Sequence, residues 1–366
     1  MSRRHKYYFP QLDSIRGLSF LAVYCFHAFH PQFNNGFWGS MLNFFYQNLV
    51  LSIDVFFILS AFLLTWLGIN EYKAKGNFSF INYFIRRTLR IWPLYFLLML
   101  FAFVLVPFAS EYFHVPVTLP PAYYYLFFIS NFYLEGHVFF LRFLWTLSVE
   151  EQFYLLWGIC LLLFQKKLAT CVIVLSTISI GYTVYAIINN INHDFNTLTY
   201  LFDFAVGIWA AKLMHSNNRI TTFFKNISKK NNLVFYLLLP LIFILNFCIF
   251  YFAPKTFAPW LDLLSRYIFI IFTGLLIIEQ MVNEKSLLNL KTQRFLIYTG
   301  KISYGLYCFH GIVLTFGIII LQKLDISVPI FLRGILFLVI NYIVAAMSYQ
   351  FIEKPFLKLK NKVRRV

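Results

Sequence analysis

Residues 168–188 read LATCVIVLSTISIGYTVYAII, a stretch without one Asp, Glu, Lys or Arg, directly preceded by Lys166-Lys167. An α-helix rises 1.5 Å per residue, so about 20 such residues cross the roughly 30 Å of a bilayer's hydrocarbon core. There the backbone can satisfy its own hydrogen bonds only as a helix or a closed barrel. The same reading recurs on both sides of this segment. Ten spans are predicted, at 12–30, 42–68, 88–108, 145–164, 168–188, 199–214, 233–252, 260–280, 303–321 and 328–350. The expected fold is all-α, a polytopic membrane bundle of about ten transmembrane helices.

Composition agrees. Of 366 residues, 60% are apolar and 12% charged, against about 25% charged in an ordinary soluble domain. A soluble enzyme, a disordered scaffold and a disulfide-stapled module are thereby excluded. The five cysteines (Cys25, Cys160, Cys171, Cys248, Cys308) lie inside apolar segments with neither metal-ligand nor disulfide spacing. They read as small buried hydrophobes, and no metal site is expected.

A net charge of +17 could point to nucleic acid, but the basic residues fall in short clusters between apolar stretches. That is the pattern of cytoplasmic loops under the positive-inside rule. With both termini inside, all but Arg142, Lys255, Arg266, Lys323 and Arg333 of the 31 lysines and arginines fall on the cytoplasmic side. The segment 119–134, LPPAYYYLFFISNFYL, competes as a further span. Counting it would invert every later loop and destroy the asymmetry, so it reads as an interfacial or re-entrant piece. The stretch after Arg3-Arg4-His5-Lys6 shows no small-x-small site, so the first span reads as uncleaved. Residues 1–353 are expected to form a single membrane domain and 354–366 a basic cytoplasmic tail, with no fused soluble domain and no nucleic-acid partner.

Ionisable groups inside spans are costly and become site candidates. The first span holds Asp13, Arg16, His27 and His30. Arg16 and His27 are eleven residues apart, close to three full turns, so they share a helix face about 16 Å apart along the axis. The plainer readings are an arginine snorkelling to headgroups and a satisfied core histidine. The second span carries Asp54 and Ser60, either helix-packing polar groups or part of a site. Arg86, Arg87 and Arg90 open the third, as a positive-inside anchor or a phosphate clamp. The fourth begins Trp145-Thr-Leu-Ser148-Val-Glu150-Glu151-Gln152-Phe-Tyr154. Adjacent helical positions point about 100° apart, so one acid is expected inward; Glu150, which shares a face with Tyr154, is the choice. The ninth contains Tyr304 and His310.

Taken together these segments resemble the acyltransferase-3 family of integral-membrane acyltransferases. The matching pieces are Leu12-Asp13-x-x-Arg16-Gly17 followed by His27, Asp54-Val-Phe-Phe-Ile-Leu-Ser60-Ala61, and Arg86-Arg87-x-x-Arg90-Ile-x-Pro93-x-Tyr95. Trp145-x-x-Ser148-x-Glu150-Glu151-Gln152, Ile302-Ser303-Tyr304-x-x-Tyr307-x-x-His310 and Glu353-Lys354-Pro355 follow in order. Ala61 stands where glycine is usual, and Cys308-Phe309 replace the commoner Leu-Trp. The resemblance implies a multi-pass enzyme of a bacterial inner membrane. It would move an acyl group, most often acetyl, from cytoplasmic acyl-coenzyme A to a hydroxyl of an extracytoplasmic or lipid-linked glycan. Acyl-coenzyme A would be a co-substrate, with no bound cofactor, and the partners would be membrane lipids, the donor and the glycan acceptor. On this reading His27 is the general base, or else forms an acyl-histidine, and Glu150 assists it. Arg16, Arg86, Arg87 and Arg90 meet the coenzyme A phosphates. Asp13, Asp54, Ser60, Trp145, Ser148, Tyr154, Tyr304 and His310 support. The rival readings are a transporter or flippase of a glycan or small anion, and a structural partner of a glycan-synthesis complex.

Overall fold

A computed structural model describes residues 8–29, 31, 33, 34, 36–113, 117–133, 139–216, 218–252 and 254–363. In chain order the helices are α1 (Pro10–Ala28), α2 (Phe37–Gln47), α3 (Ser52–Lys75), α4 (Phe80–Leu100), α5 (Val106–Phe113), α6 (Tyr123–Leu126), α7 (Phe139–Arg142), α8 (Trp145–Leu163), α9 (Leu168–Ile188), α10 (Leu201–Met214), α11 (Arg219–Lys225), α12 (Lys229–Phe252), α13 (Ala258–Val282), α14 (Arg294–Lys301), α15 (Ser303–Lys323), α16 (Ile330–Ser348) and α17 (Lys354–Val363). Short 3-10 and π turns join several of them, and no strand occurs among the described residues. The protein is a multi-pass membrane helical bundle.

Nine helical segments among the described residues are long and apolar enough to cross a bilayer. They correspond to nine of the ten predicted spans. The tenth, α1, forms as a continuous 19-residue helix beginning on a proline. It is too polar to count by composition, because Gln11, Asp13, Ser14, Arg16 and Ser19 all lie on it and are all buried. His30, the end of that predicted span, lies outside the described residues. Over its described residues, 119–133, the ambiguous segment 119–134 forms no long helix, only the four-residue α6 and a 3-10 turn over Ser130–Phe132. The third predicted span runs further than expected, through a π turn (Phe101–Leu105) into α5.

The chain packs as two compact units. The first comprises Met1–Leu67, Leu168–Ile178 and Leu201–Lys301, and the second Gly68–Lys167, Ser179–Tyr200 and Ile302–Val366.

In the first unit Leu12, Ile15, Val55, Ile58, Phe62, Ile277 and Ile278 belong to one buried cluster. Lipid is as apolar as leucine, so membrane helices associate by close approach of small residues rather than by a hydrophobic drive. The crossing of α1 and α14 shows this. A Cβ on Gly17 would lie 2.4 Å from the Leu296 carbonyl oxygen, and one on Gly300 only 1.8 Å from that of Asp13. Only glycine permits that approach. The loop after α13 also grips α1, through Ser14 Oγ donating to the Leu290 carbonyl at 2.7 Å.

In the second unit Leu94, Tyr95, Leu98, Tyr125, Leu141, Leu144, Leu147 and Cys308 share a core. Tyr95 donates to the Tyr125 carbonyl at 2.7 Å, which ties the short α6 onto α4. Gly158 lets α8 approach α4, since a Cβ there would meet the rings of Phe80 and Tyr83 at 2.7 Å. Much of the basic tail expected over 354–366 is helical: α17 follows a π turn (Tyr349–Glu353) and packs along α4.

Candidate active site

In the first unit the candidate residues begin on α1. The helix is unbroken from Pro10 to Ala28, so Arg16 and His27 share a face by helix geometry. Arg16 is buried and its Nη1 lies 3.3 Å from Asp13 Oδ1, an i,i+3 ion pair. His27 sits in the last turn, half-buried, its ring edge-on to Phe26 at 5.0 Å. Asp54, in the first turn of α3, belongs to a buried charge cluster. Arg266 of α13 reaches it through Nε at 2.9 Å and Nη2 at 3.3 Å, and gives Asp203 of α10 a further 2.9 Å contact from Nη2. Two carboxylates and one guanidinium thus meet where three helices come together. Ser60, two turns further along α3, is half-buried.

The second unit carries the other candidates, on α4, α8 and α15. Arg86 donates to Glu71 Oε2 at 2.9 Å, with side chains 14% and 9% exposed, so its charge is already answered within the protein. Arg87 is buried and stacks its guanidinium over the Tyr154 ring, 5.6 Å from the centroid. Arg90 is half-buried, one turn on from Arg86 and Arg87. Among the described residues no carboxylate lies within ion-pair distance of Arg87 or Arg90. Tyr83 donates to the Tyr154 carbonyl at 2.9 Å and Tyr304 to the Ile91 carbonyl at 2.7 Å, bracing α4 from both neighbours.

The acid pair of α8 corrects the sequence expectation. Glu151 is the buried member, accepting from Trp92 Nε1 at 3.2 Å. Glu150 is only half-buried and accepts from Tyr154 Oη at 2.9 Å, one turn along. The donor to Glu151 thus comes from α4, whereas the donor to Glu150 comes from α8 itself. Trp145 packs edge-on to Phe195 at 5.1 Å, and Ser148 Oγ lies 2.8 Å from Ser130 Oγ, so both fasten α8 to its loops. His310 is fully buried, against the Phe143 ring at 4.3 Å, with Nδ1 at the Tyr307 carbonyl.

The candidates therefore separate by unit: Asp13, Arg16, His27, Asp54 and Ser60 in the first, and Arg86, Arg87, Arg90, Trp145, Ser148, Glu150, Tyr154, Tyr304 and His310 in the second. Sequence reasoning missed Glu71, Asp203 and Arg266. Asp203 lay inside a predicted span and was open to the same argument as Asp54. Arg266 was counted with the outer residues although it falls within the 260–280 span, and the structure places it half-buried on α13, paired with Asp54 and Asp203.

Comparison with known proteins gives a consistent picture. The acyltransferase-3 family model, an acyltransferase domain, matches residues 9–349. Peptidoglycan O-acetyltransferase OatA of Listeria monocytogenes serovar 1/2a is 26% identical over 380 residues, covering 98% of this chain and 57% of that protein. YrhL of Bacillus subtilis (strain 168), provisionally named a peptidoglycan O-acetyltransferase, is 27% identical over 381 residues, covering 96% of this chain and 55% of that protein. The chain thus spans little more than half the length of these curated relatives. No solved structure matches it.

Proposed function

The chain belongs to the acyltransferase-3 family, and from that premise we propose that it transfers an acetyl group from cytoplasmic acetyl-coenzyme A to a hydroxyl of an extracytoplasmic wall glycan, in a bacterial inner membrane. The names of its relatives support peptidoglycan as the acceptor class. The observation that carries the donor half is the pair Arg87 and Arg90. These guanidiniums lie three residues apart on α4, so they share a face, and neither has a carboxylate within ion-pair distance among the described residues. Guanidinium forks bind phosphate oxygens through paired, charge-assisted hydrogen bonds. The Arg87 guanidinium carbon lies 5.6 Å from the centre of the Tyr154 ring, a cation–π contact that supports its placement there.

In the proposed reaction His27 removes the acceptor's hydroxyl proton, since imidazole titrates near neutrality. The hydroxyl oxygen forms a bond to the thioester carbonyl carbon and the carbon–sulfur bond breaks. The departing thiolate takes the proton from the imidazolium. Arg16, on the His27 face of α1, guides the donor arm.

The test is to incubate membranes bearing the protein with radiolabelled acetyl-coenzyme A and soluble peptidoglycan fragments. Base-labile label on the glycan is expected with the wild-type chain and none with His27→Ala. Label retained at the wild-type rate by His27→Ala would remove His27 from the mechanism. Label absent from wild-type membranes that do label when given a different acyl donor would remove coenzyme A.

A further inference from the structure

The last turn of any α-helix leaves its final carbonyls without intrahelical partners, and in an apolar setting each such group needs another donor. In α1 these carbonyls belong to Cys25, Phe26, His27 and Ala28. The Phe29 N–H reaches back to Cys25 at 3.3 Å. The Phe26 carbonyl, one residue before His27, accepts a 2.6 Å hydrogen bond from the hydroxyl of Tyr46 on α2. The Tyr46 ring also packs against Phe26 at 5.6 Å, and Phe26 in turn meets the His27 ring edge-on at 5.0 Å.

Tyr46 is itself anchored. α2 lies against α12 through Phe37 on Phe247 and Tyr251, both at 5.3 Å, and through Phe44 on Phe247 at 5.6 Å. A continuous set of contacts, all within the first unit, therefore runs from α12 through α2 and the Tyr46 hydroxyl to the backbone beside His27.

We propose that Tyr46 is the positioning residue for His27: its hydroxyl closes the end of α1 and fixes the imidazole where it meets the acceptor. This rests on the reading of His27 as the base. Tyr46 touches no reacting atom in this account and acts through the Phe26 carbonyl and ring. Proton abstraction is sensitive to such placement, because a shift of about 1 Å at a reacting group can cost about 100-fold in rate.

Tyr46→Phe keeps the ring and its packing while deleting the hydrogen bond. With radiolabelled acetyl-coenzyme A and peptidoglycan fragments, kcat should fall about 10- to 100-fold while KM for the donor stays unchanged. Hydrogen–deuterium exchange of the amides at 26–29 should speed up, with the rest of α1 protected as before. His27→Ala is run alongside. Tyr46→Phe with wild-type kcat and wild-type exchange, next to an inactive His27→Ala, would overturn the assignment of Tyr46 alone. An active His27→Ala would instead bring down the underlying reading. Should Tyr46→Phe not accumulate in membranes, Phe37→Leu carries the test. It loosens α2 on α12 and leaves the hydroxyl in place, so kcat should drop several-fold at constant donor KM, and an unchanged kcat would refute the proposal.

Discussion

Arg86→Gln and Arg90→Gln are expected to fail in different ways, although the two arginines sit one turn apart on the same helix. Arg86 is held at 2.9 Å by Glu71, with side-chain exposures of 14% and 9%. An exposed ion pair contributes about 0–1 kcal/mol, whereas removing one partner of a buried pair costs about 3–5 kcal/mol, because the survivor is left desolvated. The low exposure puts this pair towards the buried end of that range. Arg86→Gln should therefore lower thermal stability in detergent, and Glu71→Gln should do so comparably. The double variant should cost less than the two single losses added together, since it leaves no orphaned charge. Donor affinity should hardly change. Arg90 has no carboxylate within ion-pair distance among the described residues, so Arg90→Gln should leave stability near wild type. It should give up hydrogen bonds between charged groups of about 1.5–3 kcal/mol, which corresponds to about 10- to 150-fold in Kd for acetyl-coenzyme A. Calorimetric titration of purified protein and thermal unfolding read the two quantities separately. If Arg86→Gln loses donor affinity at full stability while Arg90→Gln binds normally, the assignment of roles from ion pairing is wrong.

Other expectations follow from the same geometry. Arg266→Met strands the Asp54 and Asp203 carboxylates and should destabilise the first unit by about 3–5 kcal/mol; Asp54→Leu and Asp203→Leu added to it should restore most of that, and a fully stable single variant would contradict the account. Gly300→Ala places a methyl group 1.8 Å from the Asp13 carbonyl oxygen, so it should force α1 off α14 and cost at least about 1–3 kcal/mol, visible as a lower unfolding midpoint. Glu151→Gln retains an acceptor for Trp92 and removes a buried charge, so its unfolding midpoint should not fall; a clear drop would mean that the ionised carboxylate is needed structurally.

The spans were legible in the sequence because lipid leaves a backbone so few options. A charge-free run such as 168–188 must be helical to satisfy its own carbonyls and amides, and α9 covers it as expected. The common face of Arg16 and His27 was legible for a similar reason, since spacing along one helix converts directly into angle. The orientation of Glu150 and Glu151 was not. Helix geometry says only that neighbours diverge, and which acid is buried depends on where Trp92, 59 residues away, and Tyr154 present their donors. Tyr46 gave no signal at all, being one of 24 tyrosines in an aromatic-rich chain.

What local rules determined, then, is which segments are helices, which polar groups share a helix face, and that buried charges require partners. The partners themselves were decided by tertiary packing. Glu71 and Arg86 are 15 residues apart, Arg266 and Asp203 63, and Arg266 and Asp54 212. Pairings across that many residues depend on which helices lie side by side and in what register, set in part by backbone contacts such as those Gly17 and Gly300 allow. An arginine paired with a carboxylate and one with no carboxylate within ion-pair distance look alike in sequence, because the difference lies in a neighbour brought up by another part of the fold.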